Sequence, residues 1–490
     1  MRGADVVARS LVAAGSRHLF TLSGNHVMPV FDAALEAKLS LVHVRHEAAA
    51  VHMADAWGRL TGEPGIALVT GGPGHANAVG ALYTALASES PLILISGHAP
   101  LDELGKGAFQ EMAQADIAAP LTKASWTARS ADTLGSDIAR AWREAVSGRP
   151  GPVHLSIPND ILDATTEAPL PAPADFICEE KMKQTAGVAE ALAAAKRPVI
   201  IAGPAMMRSR MQDLEIPVIG MESPRGVNDP SLGRLAEVLK QADVVLLLGK
   251  RLDFTLKFGK VFNAHCRVLQ AERLPSFHSN GKNSAWLEEV RAALRYRPPE
   301  WNAIRSNVDG PVHPVVLCRE VQKLLAGSDA VLVCDGGEFG QWAQACLSAP
   351  HRIINGPAGA IGSALPFAAA AKLALPEARV IAMLGDGTFG FHMAEIDTAV
   401  RCGLNYVAVV GNDATWNAEY QIQLRAYGKE RAKGCELLPT RYGAVACALG
   451  GHGEDVLRTD QLQGALQRAA ASEKPACVNV MIERLPAPRY

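Results

Sequence analysis

Residues Gly385–Asn417 read GDGTFGFHMAEIDTAVRCGLNYVAVVGNDATWN and follow directly on the apolar run RVIAML. An apolar strand breaks into Gly-Asp-Gly, a helical run follows, and a second apolar strand, YVAVV, ends on another acid. Asp386 and Asp413 lie 27 positions apart. Each stands where a strand gives out into a turn, which is where open α/β sheets place ligands. The two glycines let the backbone turn tightly and approach a guest, and a helix expected to begin near His392 would offer its N-terminal half-charge to an anion. A phosphate suits that position. A carboxylate beside a phosphate repels it unless a cation lies between, and Mg2+ accepts both kinds of oxygen.

Working outward, short Val/Ile/Leu/Ala runs recur between helical stretches: GIALVTGG, PLILISG, PVHLSIP, RPVIIAG, DVVLLLGK, AVLVCDGG and YVAVVGND. Near-continuous apolar strands bounded by glycine and alternating with helices indicate parallel sheets covered on both faces. Two stretches poor in periodicity, 164–180 and 296–314, divide the chain. The expectation is three doubly wound, Rossmann-like α/β domains over 1–165, 181–300 and 312–490. No short-period repeat argues for a solenoid.

With 490 residues, 48% hydrophobic and 20% charged, and a formal charge of -2, the chain lacks the basic field that nucleic acid or an anionic membrane surface calls for. No apolar run reaches the roughly 18 residues a bilayer span needs. Asp5 and Arg9 interrupt what would be a signal core, so a cytoplasmic protein is expected. Nine cysteines are scattered without a C-x-x-C pair and read as buried reduced thiols.

Gly385-Asp386-Gly387, then 24 residues, then Asn412-Asp413 resembles the fingerprint of thiamine-diphosphate-dependent enzymes, whose closing pair is usually Asn-Asn. The resemblance implies that Asp386, the Asp413 side chain and the Thr415 backbone carbonyl ligate Mg2+, with Gly387, Thr388, Trp416 and Asn417 against the cofactor. Asp413, where Asn is commoner, keeps the oxygen and adds a negative charge. VLVCDGGEFGQW (331–342) resembles the segment whose amides around Gly337, Glu338 and Phe339 hold the diphosphate. GPAGAIGSALPFAAAA, from Gly356, resembles the glycine-rich turn in which the Gly359 carbonyl receives the aminopyrimidine amino group and Ile361 wedges the cofactor into a bent form.

RHEAAAVHMADAWGRLTGEPGIALVTGGPGHANAV resembles the pyrimidine-binding domain of acetolactate synthase and benzaldehyde lyase. By that resemblance Glu47 hydrogen-bonds the pyrimidine nitrogen, which is proton work relayed through a cofactor, while Gly72 and Pro73 line the ring beside Gly71 and Gly74. His75, within the same turn, is expected at the surface. FTLSGNHVMPVFDA resembles the early glycine loop, with Gly24 near the cofactor and His26 a candidate proton shuttle. GKGAFQEMAQ resembles the acetolactate synthase branch and would set Phe109 and Gln110 over the reacting carbon.

In the central block RPVIIAG and IPVIGM stand too close for a full helix, and no G-x-G-x-x-G occurs, so neither FAD nor ADP is assigned there. GKRLDFTLKFG resembles the 2-hydroxyacyl-CoA lyase and oxalyl-CoA decarboxylase branch. The C-terminal lid of many relatives is not expected. Together these resemblances imply an acetolactate synthase-like carboligase acting on a 2-keto acid. The alternatives are a 2-hydroxyacyl-CoA lyase, a hydroxyketone lyase, a 2-keto acid decarboxylase or a non-catalytic thiamine-binding paralogue. Family members pair their outer domains across a twofold axis, so a homodimer or homotetramer is expected.

Overall fold

A computed structural model describes residues 1–178, 187–208, 214–274, 283–327 and 329–489. The chain forms two compact units, Met1–Met182 and Lys183–Tyr490. The first holds β1 (His18–Thr21), β2 (Ser40–His43), β3 (Gly65–Val69), β4 (Leu92–His98), β5 (Ser125–Thr127) and β6 (Pro152–Pro158). They form one parallel sheet in the order β2-β1-β3-β4-β6-β5. Every residue of β3, β4 and β6 is buried, so both faces of the sheet centre are covered, as the unbroken apolar runs require.

The second unit carries two sheets. A four-stranded one contains β7 (Pro198–Ala202), β8 (Val218–Gly220), β9 (Val244–Leu248) and β10 (Arg267–Ala271), ordered β10-β9-β7-β8. A six-stranded one contains β11 (Ala330–Cys334), β12 (His351–Ile354), β13 (Arg379–Gly385), β14 (Val407–Asn412), β15 (His452–Val456) and β16 (Ala476–Met481), ordered β12-β11-β13-β14-β16-β15. All are parallel. Counting strands within each sheet, both six-stranded sheets follow 2-1-3-4-6-5, and the central sheet follows 2-1-3-4. In each the order turns back between its first and third strands, which opens a crevice at their carboxyl ends.

Three expectations need correction. The helix after β13 begins at Asp386, not near His392: Gly385 is an extended N-cap, Asp386–His392 is the first helix and Glu395–Arg401 the second. An acid in the first turn favours that early start, since it faces the helix's positive end. All nine cysteines are free, but only Cys318, Cys334, Cys435 and Cys477 are buried, and Cys447 is exposed. His75, expected at the surface, is fully buried. Between β7 and β8 the described residues hold one short 3-10 turn, Met206–Arg208, while 209–213 lie outside them. The expected break at 164–180 likewise runs into residues outside the described set. Among the described residues no helix is long and apolar enough to cross a membrane.

Candidate functional site

At the carboxyl ends of β11, β13 and β14 a cavity of about 220 Å³ opens. Its wall brings together every residue expected from the sequence in the third domain: Gly337, Glu338, Phe339, Gly359, Ile361, Asp386, Gly387, Thr388, Asp413, Thr415, Trp416 and Asn417. Asp386 and Asp413 dominate it electrostatically. Burial pushes the Asp386 carboxyl up to about 6, against backbone N–H groups of Gly387, Ala414 and Thr415 that pull it down. Burial also lifts Asp413, to about 7, and the facing charge of Asp386 adds to the rise. Each acid thus makes the other harder to ionise. Asp386 Oδ2 is buried without a hydrogen-bond partner, a costly state for a carboxylate oxygen.

A hard cation removes all three penalties, because it supplies positive charge and takes oxygen ligands. Among the described residues no group of three or more His, Cys, Asp or Glu could hold a metal ion. An ion between these two acids would therefore need carbonyl and ligand oxygens to complete its shell. Ala414, between Asp413 and Thr415, adopts a left-handed conformation (φ 53°) rare for a residue with a side chain. Asn412 supports that turn: its Oδ1 accepts the Ala414 N–H at 3.1 Å and its amide donates to the Thr440 carbonyl at 2.9 Å. Gly387 is required by contact, since a Cβ there would lie 2.5 Å from the Trp416 ring.

Asp335, at the end of β11, is fully buried. Its carboxylate accepts N–H groups from Gly336 (2.7 Å), Gly362 (3.0 Å) and Ala364 (3.1 Å). It therefore fastens the Gly359–Gly362 turn, with Ile361, beside the strand end. The Glu338 side chain is spent elsewhere, on Arg225 at 3.3 Å and on the Ala487 N–H, so the position faces the cavity through its backbone. Pro224 and Arg225 also line this cavity, which brings the four-stranded sheet's neighbourhood to it.

In the first unit the expected residues gather at the carboxyl ends of β1, β2, β3 and β4. Glu47 opens the helix Glu47–Thr61, is 8% exposed, and accepts the Asn77 amide at 3.1 Å. Its Oε1 faces Gly74, where a Cβ would come to 3.3 Å. Thr70 ties the group together: it packs on Gly24 and Gly74, and its hydroxyl lies 3.2 Å from His26 Nδ1. His26 is buried, and burial together with His98 holds its imidazole below the usual value, hence neutral at pH 7. Gly72 has φ +57°, and a Cβ there would meet the Gln110 carbonyl at 2.5 Å, so glycine is needed twice over.

Phe109 is 68% exposed, with its ring 6.2 Å from that of His26. Gln110 sits at φ 57° with a buried, unpartnered Oε1. Their loop is held by Glu111, whose carboxylate accepts N–H groups from Gly105, Gly107 (3.0 Å) and Ala108 (3.0 Å). His75 Nδ1 instead pairs with Ser96 Oγ at 2.8 Å, and its ring lies 4.7 Å from that of His154. Burial pushes His75 down to about 4 and His154 well below its ordinary value.

Residues 1–117 match the model of the thiamine pyrophosphate enzyme N-terminal TPP binding domain, and residues 335–480 that of the C-terminal TPP binding domain. A probable acetolactate synthase of Mycobacterium bovis is 33% identical over 536 residues, covering 99% of this chain and 96% of the relative. The acetolactate synthase large subunit of Mycobacterium tuberculosis matches to the same extent. The chain belongs to the thiamine pyrophosphate enzyme family. A 2-hydroxyacyl-CoA lyase 2 of Danio rerio is 30% identical over 578 residues, covering 98% of this chain and 91% of the relative.

For a thiamine pyrophosphate enzyme, the unpaired Asp386 oxygen and the paired acids fit an anionic cofactor bridged by a cation. Sequence reasoning missed the fasteners. Gln114, 1% exposed, accepts the Gly72 N–H at 2.7 Å and donates to the Gly97 carbonyl (3.0 Å) and Ser156 Oγ (2.7 Å). Asn77, Thr70, Asp335 and Arg225 were missed as well. Of these only Asp335 carried a local signal, as an acid ending an apolar strand before two glycines.

Proposed function

We propose that the chain is an acetolactate synthase-like carboligase that uses thiamine diphosphate and Mg2+ to join a 2-keto acid, with loss of its carboxyl group as carbon dioxide, to a second carbonyl compound. One observation carries the cofactor reading: a buried acid with an unpartnered oxygen and a half-buried one at adjacent strand ends, both held above their ordinary pKa. The full-length likeness to acetolactate synthases supports the reaction.

When bound, thiamine diphosphate supplies a thiazolium carbon nucleophile and an electron sink. The chain supplies the rest. Asp386 Oδ2, the Asp413 carboxylate and the Thr415 carbonyl hold the ion. The N–H groups at the start of the helix Gly337–Cys346 hold the diphosphate, aided by the helix's positive end. The Gly359 carbonyl takes the amino group, and Ile361 props the rings. Glu47 passes a proton through its carboxylate, which faces Gly74 and is steadied by the Asn77 amide. His26, with Nδ1 engaged by Thr70, keeps Nε2 for proton transfer, and Gln110 and Phe109 flank the substrate.

The protein is further proposed to be cytoplasmic and a homodimer or homotetramer, which light scattering checks. A second reading, 2-hydroxyacyl-CoA lysis, is favoured by the lyase relatives and by GKRLDF. Product analysis decides between them. Purified protein given pyruvate, Mg2+ and the cofactor should yield acetolactate. Cleavage of a 2-hydroxyacyl thioester without turnover of pyruvate would replace the first reading by the second.

A further inference from the structure

A second cavity lies away from the cofactor crevice, at the other end of the helix Gly337–Cys346. Gly337, Glu338 and Phe339, the first turn, line the cofactor cavity, whereas Ala345 and Cys346, the last, line this second one. Ten residues of helix separate the two by about 15 Å. The second cavity encloses about 630 Å³, within the range of small-molecule sites of about 300–1,000 Å³.

Its wall carries four cationic side chains, Arg295, Arg297, Arg319 and Lys323, and no carboxylate. Lys323 pairs with Glu320 at 2.7 Å. Among the described residues no carboxylate pairs with the three arginines. Two of these are held by carbonyl oxygens: Arg297 by those of Leu294, Tyr296, Ser231 and Ala345, and Arg319 by those of Trp301 and Ile304. Carbonyls fix a guanidinium in place without neutralising it, so the cavity keeps an unbalanced positive charge. Guanidinium groups match carboxylate and phosphate geometry. Trp301, Val315 and Leu347 add an apolar wall.

We infer that this cavity binds a small organic dianion, a phosphate ester or a dicarboxylate, with the charge among the arginines and the carbon skeleton against Trp301. Arg297 donates to the Ala345 carbonyl at the helix's C-terminal end, so a bound anion acts on the group that caps the helix whose other end faces the cofactor cavity.

The test is calorimetry on the full chain with thiamine diphosphate and Mg2+ in excess, so that the cofactor crevice is not what the probe reports. Adenosine monophosphate and glutarate are the two probes, with inorganic phosphate as the charge-only reference. At least one probe should bind tenfold or more tighter than phosphate, and the tighter one names the source. Arg295→Glu with Lys323→Glu should weaken it at least tenfold while leaving the thiamine diphosphate titration unmoved. Should that double variant fail to fold, the neutral pair Arg295→Gln with Lys323→Gln reads the same loss. Probes no tighter than phosphate, or affinity indifferent to both pairs, would overturn the assignment. A protein that fails to take up thiamine diphosphate would instead count against the proposed function, since this site is read without it.

Discussion

The two six-stranded sheets share one strand order, and each opens a crevice at the same point of it, yet the two crevices hold opposite chemistry. At the end of β13, the third strand of the second unit's six-stranded sheet, stands Gly-Asp-Gly; after β3 of the first unit stands Thr-Gly-Gly-Pro. One crevice gathers two acids that resist ionisation in each other's company. The other gathers a single glutamate, backbone turned through glycine, and imidazoles kept neutral by burial. Topology thus supplies the place, and a handful of residues at the strand ends decide what occupies it.

The comparison breaks most sharply at Glu47. Glu47→Gln should lower turnover by about 10²–10⁴-fold, the range of a lost acid–base group, with cofactor affinity changed only a few-fold. Proton exchange at the thiazolium carbon, followed by NMR, should fall with it; undiminished exchange removes Glu47 from the chemistry. Asp386→Ala should show the reverse pattern. Mg2+-dependent cofactor affinity drops by about 100-fold in calorimetry, at the upper end of what even outer-shell changes cost a metal site. An unchanged affinity would dismiss the cation bridge.

A smaller effect tests the fasteners. Gln114→Ala strands the Gly72 N–H, the Gly97 carbonyl and the Ser156 hydroxyl in the interior, and should cost about 2–4 kcal/mol in denaturant unfolding. Asp335→Ala should do the same for the Gly362 turn of the other unit. A loss under about 0.5 kcal/mol for either, the level of a neutral surface change, would demote it from that role.

The smallest effect has opposite signs in the two units. His75 and His154 are held below their unfolded value of about 6.5, so the stability they contribute is full above that pH and fades as pH falls toward the folded value of His75, about 4. Asp386 and Asp413 are held above the unfolded value of about 4. Their contribution is present below it and is lost as pH rises through about 6 and about 7. In cofactor-free protein, hydrogen exchange corrected for intrinsic rates should show β4 better protected at pH 8 than at pH 5, and β13 the reverse. Parallel behaviour of both strands would show that these groups do not set the difference.

Much of this was legible because it is local. Unbroken apolar runs gave the strands of three parallel sheets, and Gly-Asp-Gly with Asn-Asp placed two acids that do meet in one cavity. Gln114 was not legible: it acts 42 residues from Gly72, and nothing in its neighbourhood marks a glutamine that will end up between three strands. His75 was misread because Pro-Gly-His looks like a surface turn, whereas Pro73 is the first residue of a helix with one buried face, which turns the ring inward to Ser96. The helix start at Asp386 was missed because two glycines read as loop, although a glycine N-cap followed by an acid is a serviceable beginning.

Three N–H groups converging on Glu111 leave the Phe109 loop already rigid, although its ring stands in solvent. A ring on a stiff mount loses little freedom when something docks beneath it, so the contact keeps most of its affinity. The same stiffness shields a prominent loop from proteases, which cut where a chain can be drawn out.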